Sequence, residues 1–85
     1  MTTTVHIKFI RLAQVLTLTG TSKSKHYTDI KQGITPPPIS LGERAKGYLE
    51  HEIMAINLAR AKGATNEALK AMVKQLIRNR NEIKC

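Results

Sequence analysis

Between Ser22 and Gln32 the side chains that can hydrogen-bond or carry charge come in dense succession: Ser22, Lys23, Ser24, Lys25, Thr28, Lys31 and Gln32. At 100° per residue, Tyr27 and Ile30 fall together, while Lys25, Thr28, Asp29 and Gln32 point away from them. Lys23, Ser24, His26 and Lys31 take the flanks. A narrow apolar seam with a broad polar face is what a helix needs to dock on a body and still offer hydrogen bonds outward. Lys25 can donate to guanine O6 or N7, Gln32 can pair with adenine, and Thr28 can touch a thymine methyl or a phosphate. Ser22 and Ser24 offer hydroxyls and free N–H groups at a helix start, where phosphates bind. Asp29 does not suit a polyanion, and an i, i+4 pair with Lys25 is its expected place. Farther on, Arg44 and Lys46 sit at a turn, where they can grip a backbone or enter a minor groove.

The elements that must position these residues follow from pattern. Val5-His6-Ile7-Lys8-Phe9 alternates as a short strand. Leu12, Val15 and Leu16 share one helical face, with Leu18 at its edge, over about Arg11–Thr19, and Gly20 ends that helix. Ser22 caps a second helix over about Lys23–Gln32, which stops at Gly33. Two helices about a link of roughly three residues containing glycine have the shape of a helix-turn-helix. Pro36-Pro37-Pro38 forces an extended run. Ile39–Leu41 and Lys46–Leu49 then flank Gly42-Glu43-Arg44-Ala45 as a hairpin, or wing.

A third helix spans about Glu50–Lys62, its acids Glu50 and Glu52 in the first turn and Arg60 and Lys62 in the last. Thr65 caps a fourth, whose Leu69, Met72, Val73, Leu76, Ile77 and Ile83 form an apolar stripe. That stripe can cover the chain's own core or pair with a second copy. Lys70, Lys74 and Arg78 recur on one flank as a solvated face, with a phosphate-contacting row as the alternative. One domain over 1–85 results: helix-turn-helix plus wing at 9–49, third helix at 50–63, C-terminal helix at 65–84. The fold class is mainly α with a small β-hairpin wing, a winged helix-turn-helix with an extra C-terminal helix.

Charge supports the same partner. Fourteen Lys and Arg against six Asp and Glu leave +8, which draws a small chain to polyanions. Residues 1–48 hold seven basic and two acidic side chains, hence +5; residues 49–85 hold seven and four, hence +3. Cys85 is the only cysteine and makes no disulfide within the chain. No apolar run approaches a membrane span, and Met1-Thr2-Thr3-Thr4 lacks the order of a signal peptide, so a cytoplasmic, nucleoid-associated protein is expected. His6, His26 and His51 lack metal-ligand spacing and read as surface or cap residues. No nucleophile–base set or nucleotide fingerprint appears, and neither enzyme nor cofactor is implied.

Taken together, Arg11-Leu12-Ala13-Gln14-Val15, Leu18-Thr19-Gly20, Ser22-Lys23-Ser24, Tyr27, Ile30-Lys31-Gln32-Gly33, Pro36–Gly42, Arg44-Ala45-Lys46-Gly47-Tyr48 and Glu52-Ile53 resemble the AlpA family of prophage regulators. That family belongs to the wider MerR-like and excisionase-like winged helix-turn-helix group, and the resemblance runs from about Phe9 to Lys84. It implies a winged fold and sequence-specific binding of double-stranded DNA on a prophage or integrative element. The roles it implies are transcription regulation, often of integrase genes, or excision in DNA recombination. It makes Ser22, Ser24, Lys25, Thr28 and Lys31 the groove-facing set and Arg44 the wing contact. Two positions depart: Thr28 stands where the family usually has Arg, which bears on base specificity. Tyr48 stands where it usually has Trp, which bears on the core. An integrase, a host regulator, or a homodimer or cooperative multimer through the C-terminal helix are the protein partners to consider. The rival reading is an interaction module, such as an antirepressor docking on a host regulator through that helix.

Overall fold

A computed structural model describes residues 7–82. Strand β1 (Phe9–Ile10) leads into α1 (Leu12–Thr19) and α2 (Lys23–Gln32), followed by β2 (Ile39–Gly42), β3 (Ala45–Leu49), α3 (Glu50–Ala61) and α4 (Asn66–Asn79). A short 3-10 turn, Arg80–Glu82, extends α4. The three strands form one antiparallel sheet in the order β1-β3-β2. The architecture is mainly helical with a small hairpin wing and an extra C-terminal helix, as the sequence implies.

Local chemistry sets the helix ends. Arg11 precedes α1, and its N–H donates to Gln14 Oε1 at 2.9 Å. Gly20 closes α1 at φ 69°, a left-handed conformation that glycine adopts without strain, so the chain turns at once into α2. The Ser22 hydroxyl accepts from Lys25 N, and Thr65 caps α4 in the same way through Ala68 N. β3 runs straight into α3, where Glu50 N donates to the Lys8 carbonyl.

Two apolar clusters meet at α3. On one side Ile53 joins Ile10, Val15 and Tyr48, with Leu12 and Ile30 packed against them. On the other, Ile56 joins Ile34, Leu69 and Val73, flanked by Met72 and Leu76. The α4 stripe therefore lies within the chain's own core. Of its described members only Ile77 is exposed, and Ile83 lies outside the described residues.

An ion pair that no periodic pattern announces fastens α4. The Arg80 guanidinium donates to both oxygens of Glu52, at 2.7 and 2.9 Å, and to the Pro37 carbonyl at 2.9 Å. Glu52 lies in the first turn of α3, as expected, and is fully buried there. The first strand also differs from expectation. Alternation over Val5–Phe9 puts Phe9 inward, yet Phe9 is exposed and Ile10 is buried. Ile10 pairs with Tyr48 across the ladder and shares its core-facing side, which leaves Phe9 on the opposite side. Val5 and His6 lie outside the described residues.

Candidate nucleic-acid interface

The inward face of α2 is polar in composition. His26 and Asp29 are buried at 1% and 2% exposure, and Ile30 is partly buried beside them. Tyr27, expected as an anchor, is 48% exposed. His26, expected on a flank as a surface or cap residue, takes the anchor's place, and Asp29 points in rather than out. Each buried polar group has a specific partner, which is why the seam tolerates them. The His26 Nε2 and the Tyr48 hydroxyl share a hydrogen bond at 3.0 Å, and the two rings meet edge-on at 5.2 Å. Asp29 accepts from Lys25, the expected i, i+4 pair, and from Arg60 of α3 at 3.4 Å.

These contacts shift titration. Burial pushes the His26 imidazole below its ordinary 6.5, against a smaller upward pull from the Asp29 carboxylate. Burial likewise raises the Tyr48 hydroxyl above 10.0, with a smaller contribution from Tyr27. Beside them lies a cavity of about 20 Å³ walled by Thr19, Thr21, His26, Asp29, Thr35 and Arg60 with Ile53 and Ile56, room for one water among polar partners.

With His26, Asp29 and Ile30 inward, the helical period puts Ser24, Thr28 and Lys31 at the centre of the outward face. Lys23 and Tyr27 lie on one flank, Lys25 and Gln32 on the other. Ser22, Lys23, Ser24, Lys25, Thr28, Lys31 and Gln32 are all exposed. Lys25 differs from the rest because its ammonium already rests on Asp29.

The hairpin turns tightly through Glu43 and Arg44, with Gly42 paired to Ala45. Arg44 is exposed and holds φ at 61°, the only described non-glycine residue with positive φ. A left-handed arginine costs about 1–2 kcal/mol, so the turn keeps a cation where glycine or asparagine would be more comfortable. Lys46 is exposed on β3, on the same side of the strand as Tyr48. The His26–Tyr48 contact thus ties α2 to the strand that carries Lys46.

Two further residues belong to this surface, and neither is marked by a local motif. The Arg11 guanidinium donates to the Lys46 carbonyl at 3.0 Å, bringing a third cation to the wing. Thirty-five residues separate the two, a distance no local rule bridges. Tyr27 is the other, hidden because an aromatic in a short helix ordinarily counts as core. The signal that finds the true seam is His26 with Ile30 at i, i+4, once imidazole is admitted as a core group.

Among the described residues no group of three His, Cys, Asp or Glu side chains could hold a metal ion, and no helix is long and apolar enough to cross a membrane.

Comparison with known proteins gives two matches. The chain is 36% identical over 56 residues to the uncharacterized protein ORF88 of Enterobacteria phage P4. The alignment covers 66% of this chain and 64% of that relative, so it spans slightly less than two thirds of the relative's length. No solved structure matches the chain significantly. Residues 8–55 match the family described as prophage CP4-57 regulatory protein (AlpA). That segment holds the sheet, α1, α2 and the first half of α3, and leaves α4 outside, a shorter span than the motifs alone suggest. Over the segment that contains both the outward face of α2 and the wing, the chain belongs to the prophage regulatory protein (AlpA) family.

Proposed function

We propose that the chain binds double-stranded DNA in a sequence-specific way, with α2 in the major groove and the β2–β3 hairpin on the adjoining backbone. Ser24, Thr28 and Lys31 meet base edges at the centre of the contact, and Gln32 and Lys25 reach them from one flank. Ser22 and the first N–H groups of α2 receive a phosphate, with Lys23 beside them. Arg44 and Lys46 grip phosphates at the wing, and Arg11 adds to that grip. No cofactor enters this chemistry.

The observation that carries the reading is the division of α2. Its inward side is fixed by His26, Asp29 and Ile30, and every residue of its centre outward is polar or basic. Asp29 no longer counts against a polyanionic partner, because its charge is buried and met by Lys25 and Arg60. Membership of a prophage regulatory family supports action on a prophage or integrative element. Within that setting the chain acts as a transcriptional regulator, an excisionase, or both, since either role uses the same contacts. Its place of work is then the nucleoid.

Selection of bound duplexes from a randomised pool tests this. Enrichment of one short motif is expected; recovery of unselected sequence contradicts sequence-specific binding.

A second reading, an interaction module such as an antirepressor that docks on a host regulator, draws on a different observation. Leu18, Met54 and Leu58 stand exposed on α1 and α3. That surface, not α4, is where a host regulator, an integrase or a second copy would dock.

A further inference from the structure

Helix α4 lies outside the segment matched to the family, and its two flanks differ in kind. With Leu69 and Val73 inward, one flank carries Lys70, Lys74 and Arg78, all exposed. The other carries Ala68, Ala71, Gln75 and Asn79, uncharged, with Gln75 donating to Asn79 at 2.9 Å. The helix holds a single acid, Glu67, whose carboxylate lies 3.8 Å from Lys70. Helices that merely face water commonly mix signs along a flank. This flank carries one acid, Glu67, at its start and three cations after it.

Its position matters as much as its charge. Ile34, which follows α2, packs with Leu69 and Val73, and Arg80 holds the Pro37 carbonyl just before β2. Thus α4 lies along the chain that joins the groove-facing helix to the wing. Successive cations are about 6 Å apart along its axis, a row about 12 Å long. One DNA strand passes about three to four phosphates over that length.

We infer that the Lys70–Lys74–Arg78 flank of α4 is a third contact surface for the same duplex, gripping phosphates beyond those met by α2 and the wing. The inference rests on the DNA reading above. Its geometry is that of a backbone clamp: it adds affinity and footprint length without reading bases.

The test is a pair of titrations with the full chain, on arbitrary duplexes of about 12 and about 30 base pairs, from about 50 to 200 mM salt. The Lys70→Gln/Lys74→Gln/Arg78→Gln variant keeps good helix formers at exposed positions, and circular dichroism checks its fold. On the long duplex its log–log salt slope is expected to be shallower than wild type by about two to three units, near 0.9 for each phosphate no longer neutralised. The short duplex, about 40 Å long, already exceeds the chain's largest extent of 33 Å, so the same change of slope is expected there. Equal slopes and affinities for variant and wild type on the long duplex overturn the inference. Failure of the wild-type chain to bind either duplex overturns the DNA reading and this inference together. The Lys31→Gln/Arg44→Gln variant tells the two apart, because it weakens binding at both lengths when the DNA reading holds.

Discussion

His26 on α2 and Tyr48 on β3 are joined by a buried hydrogen bond of 3.0 Å, and this one contact sets α2 against the wing. Tyr48→Phe removes the hydroxyl and leaves a buried imidazole nitrogen without its partner, at a cost of about 1–3 kcal/mol. For a chain of this size that lowers the melting temperature by roughly 4–8 °C per kcal/mol. An unchanged melting temperature contradicts the contact.

The same pair makes stability depend on pH. Burial holds the His26 imidazole below 6.5 in the folded chain, so below 6.5 the unfolded chain binds the proton first. This contribution is complete above 6.5 and falls as pH drops from there toward the lower folded-state value. Chemical denaturation at stepped pH is expected to show that decline in wild type and a flatter profile in His26→Gln. Parallel profiles for the two proteins contradict it.

Arg80 and Glu52 form the deepest ion pair among the described residues, at 2.7 and 2.9 Å. Arg80→Met strands a buried carboxylate and is expected to cost about 3–5 kcal/mol, a large part of what holds so small a domain together. Replacing both partners, as Glu52→Leu/Arg80→Met, is expected to recover most of that stability. Urea midpoints of the two variants decide the matter.

The wing trades stability for charge. Arg44→Asn places a residue tolerant of positive φ at 61°, and is expected to raise stability by about 0.5–1 kcal/mol while weakening DNA binding. Gly47→Ala acts the other way. An added Cβ would come within 2.7 Å of the exposed end of the Leu41 side chain and 3.2 Å of Phe9, so these two side chains must turn aside, at about 0.5–1.5 kcal/mol. Leu41→Ala in the same chain is expected to return part of that stability. Thermal melts of the three variants check both signs.

Much of this architecture can be read from the chain itself, because its signals are local. Gly20 and Ser22 mark the turn between α1 and α2, Gly42 and Arg44 mark the hairpin, and the Leu69–Val73 repeat marks α4. The rotation of α2 is not local. It depends on Tyr48, 22 residues from His26, and on Arg60, 31 residues from Asp29, which make two polar side chains acceptable inside. Without those partners Tyr27 looks like the anchor. The Arg80–Glu52 pair and the Arg11–Lys46 contact span 28 and 35 residues and are illegible for the same reason. The candidate residues of α2 and the wing are legible nonetheless, because lysine, serine and threonine lie outward under either rotation.

Charge reversal at Lys31 and Arg44 probes the central claim most directly. Lys25 suits this less well, because a glutamate there would face buried Asp29 and confuse folding with binding. Lys31→Glu/Arg44→Glu leaves every buried contact in place, at a cost to α2 of about 0.3–1 kcal/mol from the helix dipole. Measured by fluorescence anisotropy on a duplex recovered by selection, its affinity is expected to fall by about two orders of magnitude or more near 100 mM salt, with circular dichroism unchanged. An affinity equal to wild type in the folded double variant would contradict the assignment of α2 and the wing to DNA.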